Sequence, residues 1–93
     1  MLVKMTEVYL VPNVNTYNIR EVFVNPEHVT AIREDHSAVR ALNESRMPQG
    51  LNDNVGFSML FLNTGGHGLN MTVVGSPTMI QEKLVGSKKI LKG

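Results

Sequence analysis

Between Phe57 and Asn63 the chain reads Phe-Ser-Met-Leu-Phe-Leu-Asn, and this run limits the fold more than any other. Its β-branched-poor but aromatic character and its length predict a strand. A strand alternates its side chains, so Phe57, Met59 and Phe61 fall on one face and Leu60 and Leu62 on the other. Apolar side chains on both faces demand cover on both. Either the strand is central and covered twice, or one face is buried against another subunit. The second possibility makes Phe57, Met59, Leu60, Phe61 and Leu62 candidate interface residues.

The chain continues with Asn63-Thr64-Gly65-Gly66-His67-Gly68, then Leu69-Asn70-Met71-Thr72-Val73-Val74. The second run alternates cleanly, with Leu69, Met71 and Val73 inward and Asn70 and Thr72 outward. The glycines invite a comparison with phosphate-binding loops. Such a loop needs a following Lys-Ser/Thr and a helix, so that backbone N–H groups converge on the anion. Here a strand comes next, and neither G-x-G-x-x-G nor G-x-S-x-G occurs anywhere in the chain. The segment is read as the turn of a β-hairpin that uses glycine for positive φ. Any second use would be the binding of an anionic small molecule by Gly65, Gly66 and His67 through exposed amides.

The rest of the chain supplies short elements. Thr6–Val11 and Arg20–Val24 have strand character and are separated by loop chemistry from Pro12 to Asn18. Asn25-Pro26-Glu27-His28 predicts one helical turn, with Asn25 as cap and Pro26 where a missing N–H costs nothing. Val29–Glu34 alternates as a strand, with Val29 and Ala31 on one face and Thr30, Ile32 and Glu34 on the other. Ser76 and Pro77 open a terminal helix whose apolar stripe is Met79, Ile80 and Leu84, with Gly86 as the expected C-cap; Lys88 to Gly93 either add a further turn through Ile90 and Leu91 or trail. Residues 35–55 (DHSAVRALNESRMPQGLNDNV) are expected to form a long, mobile connection, although Ala38, Val39, Ala41 and Leu42 have helical spacing for two turns. A connection of that length is the first place to look for partner contacts. Met47, Arg40 and Arg46 lie within it.

Strands that precede a terminal helix without regular β–α alternation predict an antiparallel α+β domain. The expected architecture is a curved sheet or small open barrel of four to five strands, with the C-terminal helix on one face. The 93 residues form a single domain, 1–93.

Composition narrows the chemistry. The chain has no cysteine, which excludes disulfides, thiolate nucleophiles and Cys-based zinc sites and fits a reducing, cytoplasmic setting. No stretch has the length of a membrane span, and the start lacks the apolar core of a signal peptide. The net charge of +1 is far from the footprint of a dedicated nucleic-acid binder. The lysines Lys83, Lys88, Lys89 and Lys92 crowd the C-terminal end, where they suit a helix terminus and leave nucleic acid as a third reading. His28, His36 and His67 have no metal-ligand spacing, so no metal or other cofactor is expected. Glu34, Asp35 and His36 form the one dense polar cluster, read as a solvated strand end. Met59, Met71 and Met79 are read as core.

Two stretches, "FVNPEHVTAIRED" and "FSMLFLNTGGHGLNMTVVGSPTMIQEKL", together resemble the layout of small flagellar-operon proteins of the FlbD type, and half of a LytTR-type domain. The likeness spans about residues 20–91 and rests on hydrophobic pattern. The chain departs from it by an extra N-terminal strand, by the insertion at 35–55 and by lacking basic loops. The resemblance implies the α+β layout and transfers no site residue.

The sequence thus points to a non-catalytic interaction or regulatory protein, self-associating and docking on a host or cellular protein, in the manner of a phage or bacterial accessory factor. The alternative is an oligomeric binder of a nucleotide-like ligand, with Arg40 or Arg46 on the phosphates and the glycine turn supplying amides.

Overall fold

A computed structural model describes residues 1–48 and 56–92, with side chains described through residue 86. The elements run β1 (Val3–Val11), β2 (Thr16–Val24), a short 3-10 turn at Pro26–His28, β3 (Val29–Glu34), α1 (His36–Asn43), β4 (Phe57–Asn63), β5 (Gly68–Val74) and α2 (Pro77–Lys92). The strands form one antiparallel sheet in the order β2-β1-β5-β4-β3. Among the described residues it is an open α+β sheet with two free edges, not a closed barrel.

The two long hairpins form as their sequences dictate. β1 and β2 pair over their whole lengths, from Val3 opposite Val24 to Val11 opposite Thr16. Both strands are longer than the apolar runs alone suggest, because the turn needs only Pro12 to Asn15. Asn13 and Asn15 take positive φ there, which asparagine tolerates. β4 and β5 pair from Phe57 opposite Val74 to Asn63 opposite Gly68. Thr64 N–H donates to the His67 carbonyl at 3.0 Å. Gly66 N–H donates to Asn63 Oδ1 at 3.1 Å. Gly65 and Gly66 have φ of +66° and +97°, the conformation for which glycine is needed.

Helices of its own chain cover one face of β4 and, at Phe57, the start of the other. On one side Leu60 and Leu62 pack with Met5, Val24 and Val73 beneath Ile80 and Leu84 of α2. On the other, Phe57 packs with Val8 beneath Ala38 of α1, with Tyr17, Ile19, Leu42 and Met47 around them. Phe57 and Leu60 are completely buried. Each such side chain contributes about 1.5–3 kcal/mol by leaving water. Ser58 lies in the same interior, and its hydroxyl donates to the Gly75 carbonyl at 2.7 Å.

The segment expected to be a connection from residue 35 carries a helix. Asp35 caps α1: its Oδ1 accepts the Ala38 N–H at 3.1 Å, while its Oδ2 accepts the Thr72 hydroxyl at 2.6 Å. Its own N–H donates to the Phe57 carbonyl at 2.9 Å. Two turns suffice because the helix is short, amphipathic and pinned at its start, so packing supplies what length does not. The remainder of the expected loop from residue 49 to 55 lies outside the described residues.

α2 opens as expected, with the Met79 N–H donating to Ser76 Oγ at 3.3 Å. It does not end at Gly86 but continues to Lys92. Gly86 has no positive φ and terminates nothing, and a helical glycine is tolerated at roughly 1 kcal/mol. Two apolar assignments also change. Met79 is exposed on α2, and Leu69 beside the hairpin turn is half exposed. No helix among the described residues is long and apolar enough to cross a membrane.

Replacing Asp35 by alanine removes a cap and leaves the Thr72 hydroxyl unpaired. The expected loss is about 1–3 kcal/mol of unfolding free energy in urea, with helical shifts over 36–43 lost before those of the sheet.

Candidate functional site

The residues singled out from the sequence do not converge. Phe57, Leu60 and Leu62 belong to the interior and offer no surface. These three are covered within the chain, Leu60 and Leu62 beneath α2 and Phe57 beneath α1. Met59 and Phe61 are half buried on the face that α1 leaves open, and the Arg33 guanidinium carbon lies 4.9 Å from the Phe61 ring centroid. Met47 packs against the cluster under α1 and is not a free contact.

Arg46 is engaged where it stands. It contacts Glu44 at 2.9 Å, donates to Asn15 Oδ1 at 3.4 Å and lies over the Tyr17 ring at 5.7 Å. Its carbonyl also accepts the Tyr17 N–H. These contacts fasten the end of α1 to the β1–β2 hairpin. Arg40 is exposed on α1. Gly65, Gly66 and His67 are exposed in their turn, whose hydrogen bonds are internal. Among the described residues no hydrogen bond or ion pair links either arginine to that turn. Lys88, Lys89 and Lys92 lie in the last part of α2, outside the described side chains.

The polar cluster at 34–36 is divided by its environment. Asp35 is buried as the cap of α1, whereas exposed His36 meets Glu34 at 3.3 Å. Among the described residues no three His, Asp or Glu side chains gather as a metal site.

The feature that stands out is one that no sequence signal marked, the edge strand β3 and its groove. β3 pairs with β4 on one side, and among the described residues nothing pairs with its other side. A groove of about 460 Å³ runs between this edge and α2. Its walls are mixed: Val29, Thr30 and Ile32 come from the strand, and Pro77, Thr78, Gln81, Leu84 and Val85 from the helix. The helix residues recur at spacings of one, three, three and one, which places them on one stripe facing the strand. Leu84 is core, while Val85 is 42% exposed.

A bulge shapes the strand side. Val29 stands opposite Leu62 and Ala31 opposite Phe61, so Thr30 is the extra residue. Its hydroxyl donates to the Phe61 carbonyl at 3.1 Å. The extra residue brings Val29 and Ile32 to the same side, where both pack on the core under α2. The strict alternation expected for 29–34 had separated Ile32 from Val29. Ala31 and Arg33 point to the opposite face, beside Phe61 and Met59.

The other edge is different in kind. Arg20 of β2 donates to Glu7 Oε1 at 2.8 Å and covers the Tyr9 ring at 4.3 Å, and Lys4 reaches Glu21 at 3.5 Å. The hydrogen bond and charge of Glu7 raise the Arg20 pKa above its ordinary value. That edge is dressed with charge, as edges that avoid pairing usually are.

Comparison of the chain with protein-family models, with curated proteins and with solved structures finds no match. The groove is therefore interpreted from its own chemistry. An open strand edge presents alternate backbone donors and acceptors, and the groove presents both apolar and polar side-chain surface beside them. Together these fit an extended polypeptide, which offers both kinds of partner at the same repeat.

Hydrogen exchange provides a check on the open edge. Outward-facing amides of Val29–Glu34 are expected to exchange far faster than those of the inner strands β5 and β4, when followed by NMR in deuterium oxide.

Proposed function

We propose that the chain is a non-catalytic interaction protein that docks an extended segment of a partner polypeptide along β3, in the groove against α2. The observation that carries this reading is the coincidence of a strand edge unpaired among the described residues with a groove alongside it, whose mixed lining includes the apolar side chains of Val29, Ile32, Leu84 and Val85. Backbone hydrogen bonds would supply affinity without regard to sequence. Side chains at alternate positions of the added strand would enter the groove and select the partner.

The nucleotide reading has less support, because Arg46 already has its partners and the glycine turn is organised by internal hydrogen bonds. Self-association through strand 57–62 has less support, since Phe57, Leu60 and Leu62 are buried inside one chain and of that run Met59 and Phe61 keep part of their surface. The partner is therefore taken to be a different protein, of host or cellular origin.

Selection from a library of random displayed peptides tests the reading. The expected winners carry apolar residues at every second position, and their binding should move the amide signals of β3 and α2. Val85→Glu places a charge on the groove wall at a side chain outside the core, so the protein should keep its fold. Binding of the selected peptides should weaken at least about tenfold, since a carboxylate would lose water against an apolar partner. Signals that move elsewhere, or unchanged binding by the variant, would remove the reading.

A further inference from the structure

The two sides of β3 differ in chemistry, and the difference specifies what can lie beside it. Ile32 stands opposite Leu60 on the side of α2 and the groove. Arg33, its neighbour, stands opposite Met59 on the other side. The Phe61 ring supports the Arg33 guanidinium at 4.9 Å, yet among the described residues no carboxylate lies within ion-pair range of it. The two nearest acids in sequence are occupied. Glu34 meets His36 at 3.3 Å, and Asp35 accepts from the Ala38 amide and the Thr72 hydroxyl.

A strand added to the edge continues both faces of the sheet, with side chains about 4.5–5.5 Å from those directly opposite. The residue beside Ile32 enters the groove, where Leu84 and Val85 offer it apolar surface, and the next residue comes to rest beside Arg33. We infer, building on the strand-addition reading above, that the segment bound is acidic: an extended stretch in which an apolar residue is followed or preceded directly by Asp or Glu. The apolar side chain fills the groove while the carboxylate meets the guanidinium, whose planar fork suits it.

The same geometry disfavours a second copy of this chain as the occupant. Antiparallel self-pairing about a two-fold axis keeps each face and pairs residues of equal parity. Within the regular stretch past the bulge, centring on Ile32 sets Arg33 against Ala31, and centring on Glu34 sets it against Asp35, whose two oxygens are already engaged inside the chain. Centred on Arg33 it brings two guanidinium groups together. None of these registers supplies a carboxylate that is not already engaged inside its own chain.

The experiment uses three blocked octapeptides in which valine alternates with glutamate, glutamine or lysine, each titrated into the isotope-labelled full chain at low ionic strength. The glutamate peptide should bind tightest and move the β3 and α2 amides. The glutamine peptide should bind about two- to fivefold more weakly, the worth of one exposed ion pair, and the lysine peptide more weakly still. Added salt should narrow the gap. Arg33→Gln should abolish the distinction between glutamate and glutamine, and Arg33→Glu should reverse the order in favour of lysine. Equal binding of the glutamate and glutamine peptides at β3, or an unchanged order in Arg33→Glu, would overturn the acidic preference while leaving strand addition standing. Failure of all three peptides to move β3 amides would overturn both. Sedimentation of the free chain as a dimer with protected β3 amides would show that a copy holds the edge, and would overturn the inference as well.

Discussion

The buried carboxylate of Asp35 is the joint on which the two layers of this fold depend. It stands where β3 ends and α1 begins, and it serves both elements and a third. One oxygen closes the first turn of α1 and the other takes the hydroxyl of Thr72 on β5. Its amide meanwhile extends the pairing with β4 through the Phe57 carbonyl. A helix of eight residues has little stability of its own, so its position must come from such anchors and from packing. With α1 fixed, Ala38 closes over Phe57 and Val8. Without it, one side of the most apolar strand would face water. The charge is tolerated in the interior because both oxygens have donors, the condition under which a buried polar group ceases to be a liability.

The fold was largely legible because its strongest signals are local. The β4–β5 hairpin, the cap of Asn25 on the short turn and the Ser76-Pro77 helix start each involve residues close in sequence, and each formed as expected. Failures came where a distant contact decides. Asp35 followed by Ala38, Val39, Ala41 and Leu42 is a cap before an apolar stripe. Its weight becomes visible only once Thr72 and Phe57 arrive from elsewhere to hold it. Gly86 looked like a stop, but a stop needs a left-handed residue, and nothing at that position requires one. The two-faced strand 57–63 is covered by α2 on one face and by α1 over Phe57 on the other, and the residues of α1 lay in the segment expected to be loop.

The candidate site was less legible than the fold, for a physical reason. Recognition by an open edge uses backbone groups, which every residue carries. It also uses a groove whose two walls are far apart in sequence, the nearest apolar pair across it, Ile32 and Pro77, being 45 positions apart. No local motif encodes either. The residues that did attract attention were chemically distinctive ones, glycines and arginines, and of these Arg46 and the turn glycines proved to be engaged in holding the chain. Arg46 ties α1 to the first hairpin, and the glycines turn the second.

A single inserted residue accounts for much of what sets β3 apart. Were 29–34 a regular strand, Val29, Ala31 and Arg33 would share one face, with Thr30, Ile32 and Glu34 on the other. Either Val29 or Ile32 would then leave the core. The bulge at Thr30 resolves this conflict by letting both reach the side of α2, and it leaves Ala31 and Arg33 together on the opposite face. The groove therefore gains two apolar strand residues, and the cation stands at the same edge on the other face. Bulges more often blunt an edge against pairing. Here the irregularity is confined to the first residues of the strand, and the regular stretch from Ala31 to Glu34 keeps its open side. A partner that pairs along that stretch must satisfy an apolar wall and a positive charge on successive residues, a requirement that backbone hydrogen bonding alone would not impose.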